Sequence, residues 1–230
     1  MWPFVKYTIP ITFVLKLIEK IILTGPKRKL RLVIERKEEV ILGALENISA
    51  TRQKAEKNQF EHVVRLYNAS QFCLICELDL SILVFDLSMA DTQWRKKLYA
   101  RLLAMTLVEC VEDITQLLGK EFRKSLDKAI AKNDHKQKLN PIVKALTEFK
   151  KKHERDLRVI RNIAAAHRDQ DAARQLSIIN KIDPKTLQNL SLEFVELLLP
   201  FTTMMTEVMI GMAAEWSRAS KLINDTFPDS

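Results

Sequence analysis

Glycine and proline are scarce along the chain, and this scarcity most restricts the folds that are open to it. The 230 residues include only 4 Gly and 7 Pro. Tight turns between strands depend on these two residue types, whereas helices avoid both in their interiors. Leu, Ile, Ala, Lys and Glu dominate the sequence, and most of these are good helix formers. The composition therefore predicts an all-α protein.

Apolar spacing and end signals divide the chain into helical segments. The predicted helices cover residues 27–48, 60–87, 94–118, 121–132, 141–164, 171–182 and 184–222. Residues 49–59 either continue the first helix or form a bend, and the β-branched run at 82–85 leaves a strand possible there. Residues 132–139 are predicted as a loop. The expected helix caps are Asp91 or Thr92, Asn140, Asp169 or Asp171, and Asp183. Pro200 is expected to bend the last helix.

The net charge indicates which partners the chain should bind, and the number of cysteines indicates which cellular compartment it fits. The net charge is +8 and the pI is about 9.4, so the chain should attract polyanions such as RNA, DNA or an anionic membrane. Three cysteines do not make a disulfide scaffold and fit a reducing cytoplasm. Cys73 and Cys76 form a CxxC in an apolar stretch without further ligands. Buried, inert thiols are therefore expected rather than a metal or redox centre.

The first 23 residues are apolar but contain four charges and two prolines. A membrane-spanning helix needs about 20 nearly uncharged residues, and a signal peptide needs an uninterrupted apolar core. Neither pattern is met. We expect this segment to pack on the protein or on a partner, with membrane-surface contact by residues 1–23 as the less favoured alternative.

The sequence RNIAAAH places Arg161, Asn162 and His167 close together in the chain. Arginine matches phosphate oxygens, histidine exchanges a proton near neutral pH, and asparagine can orient either. On a straight helix, Arg161 and His167 would point about 120° apart. They can therefore meet only if the helix ends between them or if two copies of the chain contribute. The alternative is a structural helix end, where Arg and His favour the helix dipole.

Other residues are candidates for supporting roles. Glu109 and Asp113 share one helix face and either orient Arg161 or His167 or form an ordinary salt bridge. Basic residues near the motif either contact RNA or line a solvated helix face; the RNA-binding candidates are Arg158, Arg168 and Lys152. His153 is expected to be a satisfied core or interface histidine, and Met204, Met205, Met209 and Met212 to be core or a dimer seam. No metal and no cofactor are expected.

The stretch RNIAAAHRD resembles the signature of the HEPN superfamily (higher eukaryotes and prokaryotes nucleotide-binding): an arginine, a polar residue and, a few residues later, a histidine. Two segments around the motif resemble those of the bacterial abortive-infection type of HEPN protein: YARLLAMTLVECVEDITQLLGKEFRKSL before it and AAAHRDQDAARQLSIINKIDP after it. The resemblance covers residues 91–225 and implies a HEPN-like domain there. Residues 1–90 then form an N-terminal helical extension of unknown role, and the two parts may form one continuous bundle.

The resemblance implies an up-and-down helical bundle of HEPN type, with additional N-terminal helices, that forms a homodimer. It also implies a metal-independent endoribonuclease, cytoplasmic and of toxin or phage-defence type, with RNA as substrate and an antitoxin or other protein as a possible partner. His167 would transfer a proton, Arg161 would hold the scissile phosphate and Asn162 would support them. Other HEPN proteins bind nucleotides or partners without cutting RNA, so a non-catalytic binding module is the alternative.

Overall fold

The computed structural model describes residues 27–129, 134–162 and 171–226, with side chains described as far as Ala214. Over these residues the protein is all-helical, as predicted, and contains no strand. The helices are α1 (Lys27–Lys57), α2 (Glu61–Met89), α3 (Gln93–Leu117), α4 (Lys120–Ala129), α5 (Asp134–Ile160), α6 (Ala172–Lys181) and α7 (Pro184–Thr226). Residues 1–23 and the motif positions His167 and Arg168 lie outside the described residues.

The two open questions about the first helices are both resolved. Helix α1 continues through the polar stretch and ends at Lys57. The bend follows at Gln59, whose φ of 59° lies in the left-handed region, while the Phe60 amide donates to the Ala55 carbonyl at 2.9 Å. Residues 82–85 are helical within α2 rather than extended. Burial on several sides of this helix outweighs the weak strand preference of β-branched residues.

Three of the predicted caps are confirmed. The Thr92 side chain accepts a hydrogen bond from the first turn of α3, and the Asp171 carboxylate accepts two from the first turn of α6. The Asp183 carboxylate accepts from two amides of α7, directly before Pro184. Each cap satisfies donors that have no partner within the helix, so local sequence signals do set these three starts.

The predicted start at Asn140-Pro141 is wrong, because α5 already begins at Asp134 and contains Pro141 in its interior. His135 and Leu139, one turn apart, are both buried, so the preceding residues gain packing as a helix rather than as a loop. The Asn140 side chain accepts from Arg123 at 2.7 Å instead of capping. Packing of these turns outweighs the hydrogen bond that an internal proline costs.

Helix α2 occupies the middle of the bundle, where it packs against α1, α3, α4 and α7. Helix α3 also contacts α5, α6 and α7, and α5 packs on α7. One cluster of buried side chains extends from Ile48 to Met212 and joins both halves of the chain. The division of the chain at residue 90 stays a prediction.

The long helix α7 supplies much of this core. Its stretch Pro184–Ala214 is long and apolar enough to cross a membrane, by length and composition alone. Phe194, Leu198 and Phe201 of that stretch are fully buried within the bundle, and 33% of its most apolar window is buried. The predicted core methionines lie on the same helix; Met204, Met205 and Met212 are buried and Met209 is partly buried.

The three cysteines are free and buried between α2 and α3, as predicted. Burial raises the pKa of the Cys73 thiol well above its usual range. A hydrogen bond with Cys110, together with burial, raises the pKa of Cys76. Thiols held neutral in this way are poor nucleophiles, and they act here as small apolar side chains.

An ion pair between α1 and α2 is enclosed in the bundle. Lys37 Nζ lies 2.9 Å from Glu77 Oε1, with side chains only 4% and 1% exposed. Lys37 also donates to Ser81 Oγ at 2.7 Å. The approach to Glu77 is an ion pair rather than an aligned hydrogen bond, and neither carboxylate oxygen has a hydrogen-bond partner among the described residues. Because burial of both charges is costly, the pair stabilises the register of α1 on α2 rather than the fold as a whole.

Lys37→Met is expected to lower the free energy of unfolding by about 3–5 kcal/mol, because it leaves the Glu77 carboxylate buried without a counter-charge. The double variant Lys37→Met/Glu77→Leu should be as stable as the wild type or more stable. Urea denaturation followed by circular dichroism measures both. Lys29→Met, at an exposed position of the same helix, is the control and should change stability by less than about 0.5 kcal/mol. A single variant as stable as this control would contradict the argument.

Candidate functional site

The candidate site forms where the last turns of α5 lie against α3. Helix α5 is regular to Ile160, and a wider π-helical turn begins at Arg161 and Asn162. Such turns are rare and are found frequently at functional sites. Asn162 is exposed and ends the described part of this segment. The two motif residues that are described therefore leave α5 at a local departure from regular helix geometry.

Two arginine–glutamate pairs connect α5 to α3 at this place. Arg161 pairs with Glu109, and Arg158 pairs with Glu112. The two glutamates are three residues apart on α3, and the two arginines are three residues apart on α5. Because the earlier glutamate pairs with the later arginine, the two helices are antiparallel here. Glu109 thus contacts Arg161, and this contact fits both an orienting role and an ordinary salt bridge.

Arg161 is only weakly paired. Its Nη2 atom lies 3.5 Å from Glu109 Oε1, which is longer than the 2.7–2.9 Å of a charge-assisted hydrogen bond. Its Nε atom is buried and has no hydrogen-bond partner among the described residues. Among the described residues, the 3.5 Å approach to Glu109 is therefore the one ionic contact of this guanidinium, whose side chain is 30% exposed. An oxyanion is the natural partner for such a group.

Arg158, which is predicted to bind RNA, has two carboxylate partners. Its Nε donates to Glu112 at 2.8 Å, and Nη2 lies 2.8 Å from Glu154 Oε1. The hydrogen bond and charge of Glu112, with a smaller effect of Glu154, raise the pKa of Arg158. A phosphate would have to displace these carboxylates. Lys152 is exposed and has no ion pair among the described residues, so a phosphate would meet no competing carboxylate there, although Lys152 lies nine residues before Arg161 and points to about the opposite side of α5.

Two carboxylates of α3, Asp113 and Glu112, differ from the expectation drawn from the sequence. Asp113 is exposed and forms no ion pair or hydrogen bond with another described side chain. Glu112, which sequence reasoning did not assign to the site, holds Arg158. The i, i+4 rule selects residues that share a face of one helix, but it does not show which of them faces a second helix. The equal three-residue offset of 109–112 and 158–161 is the signal that could have found Glu112.

His153 lies in a narrow groove between α3 and α5, one turn before Arg158. Its ring packs 4.8 Å from the Phe149 ring, and its Nε2 atom is buried without a hydrogen-bond partner among the described residues. The groove is lined by Val108, Val111, Glu112, Phe149, Lys150, His153, Glu154 and Leu157. The ring is thus packed but not fully hydrogen-bonded within the described part of the chain, and the prediction of a satisfied core or interface histidine stays a prediction.

Comparison with protein-family models, curated proteins and solved structures gives no match for the chain. Within the described ranges, no group of three or more His, Cys, Asp or Glu side chains is arranged to hold a metal ion. The chemistry that the site supports must therefore be argued from its own residues.

Burial lowers the pKa of His153 below its ordinary value of 6.5, and the nearby Lys152 adds to this against the charges of Glu193 and Asp156. The unfolded chain consequently binds a proton more readily than the folded protein. The free energy of unfolding should fall as pH drops through and below the ordinary histidine value. His153→Phe should remove part of that fall.

Thermal unfolding of the wild type and His153→Phe between about pH 7 and about pH 5 measures the difference. The gap between the two melting temperatures should shift in favour of the variant as pH falls. His62→Phe, at a partly exposed position of α2, is the matched control and should follow the wild type. Parallel curves for the wild type and His153→Phe would rule out this role of burial.

Proposed function

We propose that the protein is a metal-independent endoribonuclease of HEPN type. The observation that supports this most is the state of Arg161, whose guanidinium lies 3.5 Å from Glu109 and whose Nε atom has no hydrogen-bond partner among the described residues. The next residue is Asn162, and His167 follows five residues later in the chain. These residue types suffice for phosphodiester cleavage by the ribose 2′-hydroxyl.

In the proposed reaction a base removes the proton of the 2′-hydroxyl, and the 2′-oxygen attacks the adjacent phosphorus. The bond from phosphorus to the 5′-oxygen breaks, and that oxygen receives a proton. The products are a 2′,3′-cyclic phosphate and a 5′-hydroxyl. His167 carries out proton transfer, Arg161 stabilises the negative charge that develops on the phosphorane, and Asn162 supports their orientation. Side chains alone provide both the proton transfer and the positive charge.

Glu109 is a positioning residue in this proposal. A carboxylate 3.5 Å from Arg161 limits the directions that the guanidinium can take without occupying it in a bidentate pair. Lys152 is the first contact for the RNA backbone, because it is exposed and unpaired among the described residues. Arg158 and Arg168 follow as further contacts, with Arg158 restrained by Glu112 and Glu154. Asp113, exposed on the same face as Glu109, adds negative charge that restricts where the RNA can lie.

A homodimer completes the proposed site. Arg161 and His167 cannot share a face of one straight helix, since they would point about 120° apart. A second copy of the chain would bring the missing partner of each residue. Val159 precedes the motif in the sequence and Leu176 follows it, both are large apolar side chains that are exposed, and we propose them as contacts of the second copy. A cytoplasmic effector of phage defence, restrained by an antitoxin or another protein, fits this reading.

Purified protein is expected to cleave RNA in EDTA and to leave 2′,3′-cyclic phosphate ends. Arg161→Ala should lower the cleavage rate by about 10²–10³-fold, because a donor to the phosphorane is lost. His167→Ala should lower it by about 10²–10⁴-fold through loss of proton transfer. Gel analysis of a labelled RNA, with end-group chemistry on the products, measures both effects.

Two neighbouring residues supply matched controls for these variants. Arg158→Ala removes an arginine that is already neutralised by two carboxylates, and His153→Ala removes a histidine of the groove. Both should keep most of the wild-type kcat, and Arg158→Ala should raise only KM, because Arg158 contributes a contact with the RNA backbone and takes no part in the chemical step. Loss of cleavage in the controls to the same degree would contradict the site assignment. A folded wild type that binds RNA and never cleaves it would favour the alternative, a non-catalytic binding module.

A mixture of Arg161→Ala and His167→Ala protein should recover part of the activity that each lacks alone. In a mixed dimer, one protomer retains His167 and the other retains Arg161, so a cleft shared by both copies contains one of each. A cleft built from a single chain would stay inactive in every mixture. Cleavage rates measured after subunit exchange, beside sedimentation analysis of the same samples, separate the two outcomes.

A further inference from the structure

One end of the bundle gathers basic side chains from four helices. Helix α1 runs antiparallel to α2, as the contact of Lys37 with Ser81 shows, so α1 begins where α2 ends and α3 starts. The Gln188 side chain of α7 donates to Ser88 of α2 at 3.0 Å, and Lys97 of α3 donates to the Asn180 carbonyl of α6 at 3.0 Å. One end of the bundle therefore contains the first turns of α1, α3 and α7 and the last turn of α6. We call it the basic end.

Most of the cations at the basic end have no anionic partner among the described residues. Arg95 pairs with Asp91 at 3.1 Å, and the Asp183 carboxylate is occupied as a helix cap. Lys97 and Lys185 form hydrogen bonds with Asn180 and Gln188 there but no ion pair. The cations with neither an ion pair nor a side-chain hydrogen bond among the described residues are Lys27, Arg28, Lys29, Arg31, Lys96 and Lys181. An unpaired group of this size produces a positive field that extends toward solvent.

The first described turn of α1 is strongly basic. It contains no acidic residue, and Lys27, Arg28, Lys29 and Arg31 are all exposed. Like charges this close together repel one another, and an anion bound at this surface would relieve that repulsion.

Apolar side chains are exposed among these cations. Trp94, in the first turn of α3, is 55% exposed, and Leu32, beside Arg31, is 58% exposed. Tryptophan and leucine among lysine and arginine form the pattern of a protein surface that lies in the interface of a lipid bilayer. An RNA-binding surface gains its affinity mainly from phosphate contacts and does not need an exposed leucine.

The chain that precedes the described residues enters at the same place. Residues 1–26 join α1 at Lys27, and their sequence is predominantly apolar with Lys6, Lys16 and Lys20 interspersed. A basic cluster directly adjoining an apolar segment is a sequence arrangement typical of proteins that contact anionic lipid headgroups. We infer that the basic end docks on an anionic membrane surface, with Trp94 and Leu32 entering the headgroup region. This surface is separate from the site proposed for RNA cleavage.

Flotation with vesicles tests the inference. The full chain should bind phosphatidylcholine vesicles that contain phosphatidylserine and should bind vesicles of phosphatidylcholine alone much more weakly. Lys27→Gln/Arg28→Gln/Lys29→Gln/Arg31→Gln should weaken binding to the anionic vesicles more than about a hundredfold, since each cation near such a surface contributes about fivefold. Circular dichroism of this variant should match that of the wild type.

The control variant carries four neutral substitutions at the opposite end of the bundle, Lys54→Gln/Lys57→Gln/Lys120→Gln/Lys128→Gln. These lysines are exposed and have no ion pair among the described residues, so the change in net charge is the same. The control should keep most of the wild-type affinity. Equal loss in both variants would show attraction by net charge alone and would overturn the proposal.

Tryptophan fluorescence shows whether Trp94 itself enters the membrane. In a chain with Trp2→Phe and Trp216→Phe, Trp94 is the remaining tryptophan, and its emission should shift to the blue with anionic vesicles. Binding without this shift would mean that another part of the chain makes the contact. Loss of RNA affinity in the α1 variant, with vesicle binding unchanged, would identify the basic end as an RNA surface instead. Either result overturns the inference.

Discussion

Helix α2 has to be covered on most of its circumference, and the arrangement of the other helices follows from that need. Its buried positions do not form one stripe, because Tyr67 and Cys76, which are nine residues apart and so point to about opposite sides of the helix, are both buried. A helix that is apolar on so many sides is stable only inside a bundle, and α1, α3, α4 and α7 provide the cover. The enclosed Glu77 is the polar exception, and Lys37 can meet it only when α1 lies in one register. Burial of α2 thus drives the packing of the other helices around it, while the Lys37–Glu77 ion pair favours one register of α1 on α2.

The same packing brings the candidate site together. Helix α3 is fixed by α2 on one side, and the Phe149–Phe194 contact at 5.4 Å holds α5 on α7. The antiparallel α3–α5 pair then aligns Glu109 with Arg161 and Glu112 with Arg158. Arginines three residues apart consequently have different properties, because one has two carboxylates at hydrogen-bonding distance and the other has one at 3.5 Å. Pairing, rather than charge alone, decides which cation remains able to bind an anion.

The sequence predicted those features of the fold that depend on residues close together in the chain. The caps Thr92, Asp171 and Asp183 were found because the side chain and the amides it accepts from are neighbours in the chain. The start of α5 was missed because burial of His135 and Leu139 against other helices outweighed the Asn140-Pro141 signal. Glu112 was missed for a related reason, since its partner Arg158 is 46 residues away. Contacts between helices depend on which faces meet, and that information is not contained in the spacing along a single helix.

The distribution of charge connects the two proposed surfaces. A net charge of +8 does not show where an anion would bind, but the ion pairs do. Carboxylates of α3 and α5 neutralise much of the positive charge around the end of α5, whereas the basic end keeps six cations with neither an ion pair nor a side-chain hydrogen bond among the described residues. Glu109 lies 16 residues after Gln93, which corresponds to about 24 Å along α3. That separation is enough for the proposed membrane contact at the basic end and the proposed RNA site at Arg161 to be occupied together. A membrane contact would then leave the proposed site facing the solvent rather than compete with it.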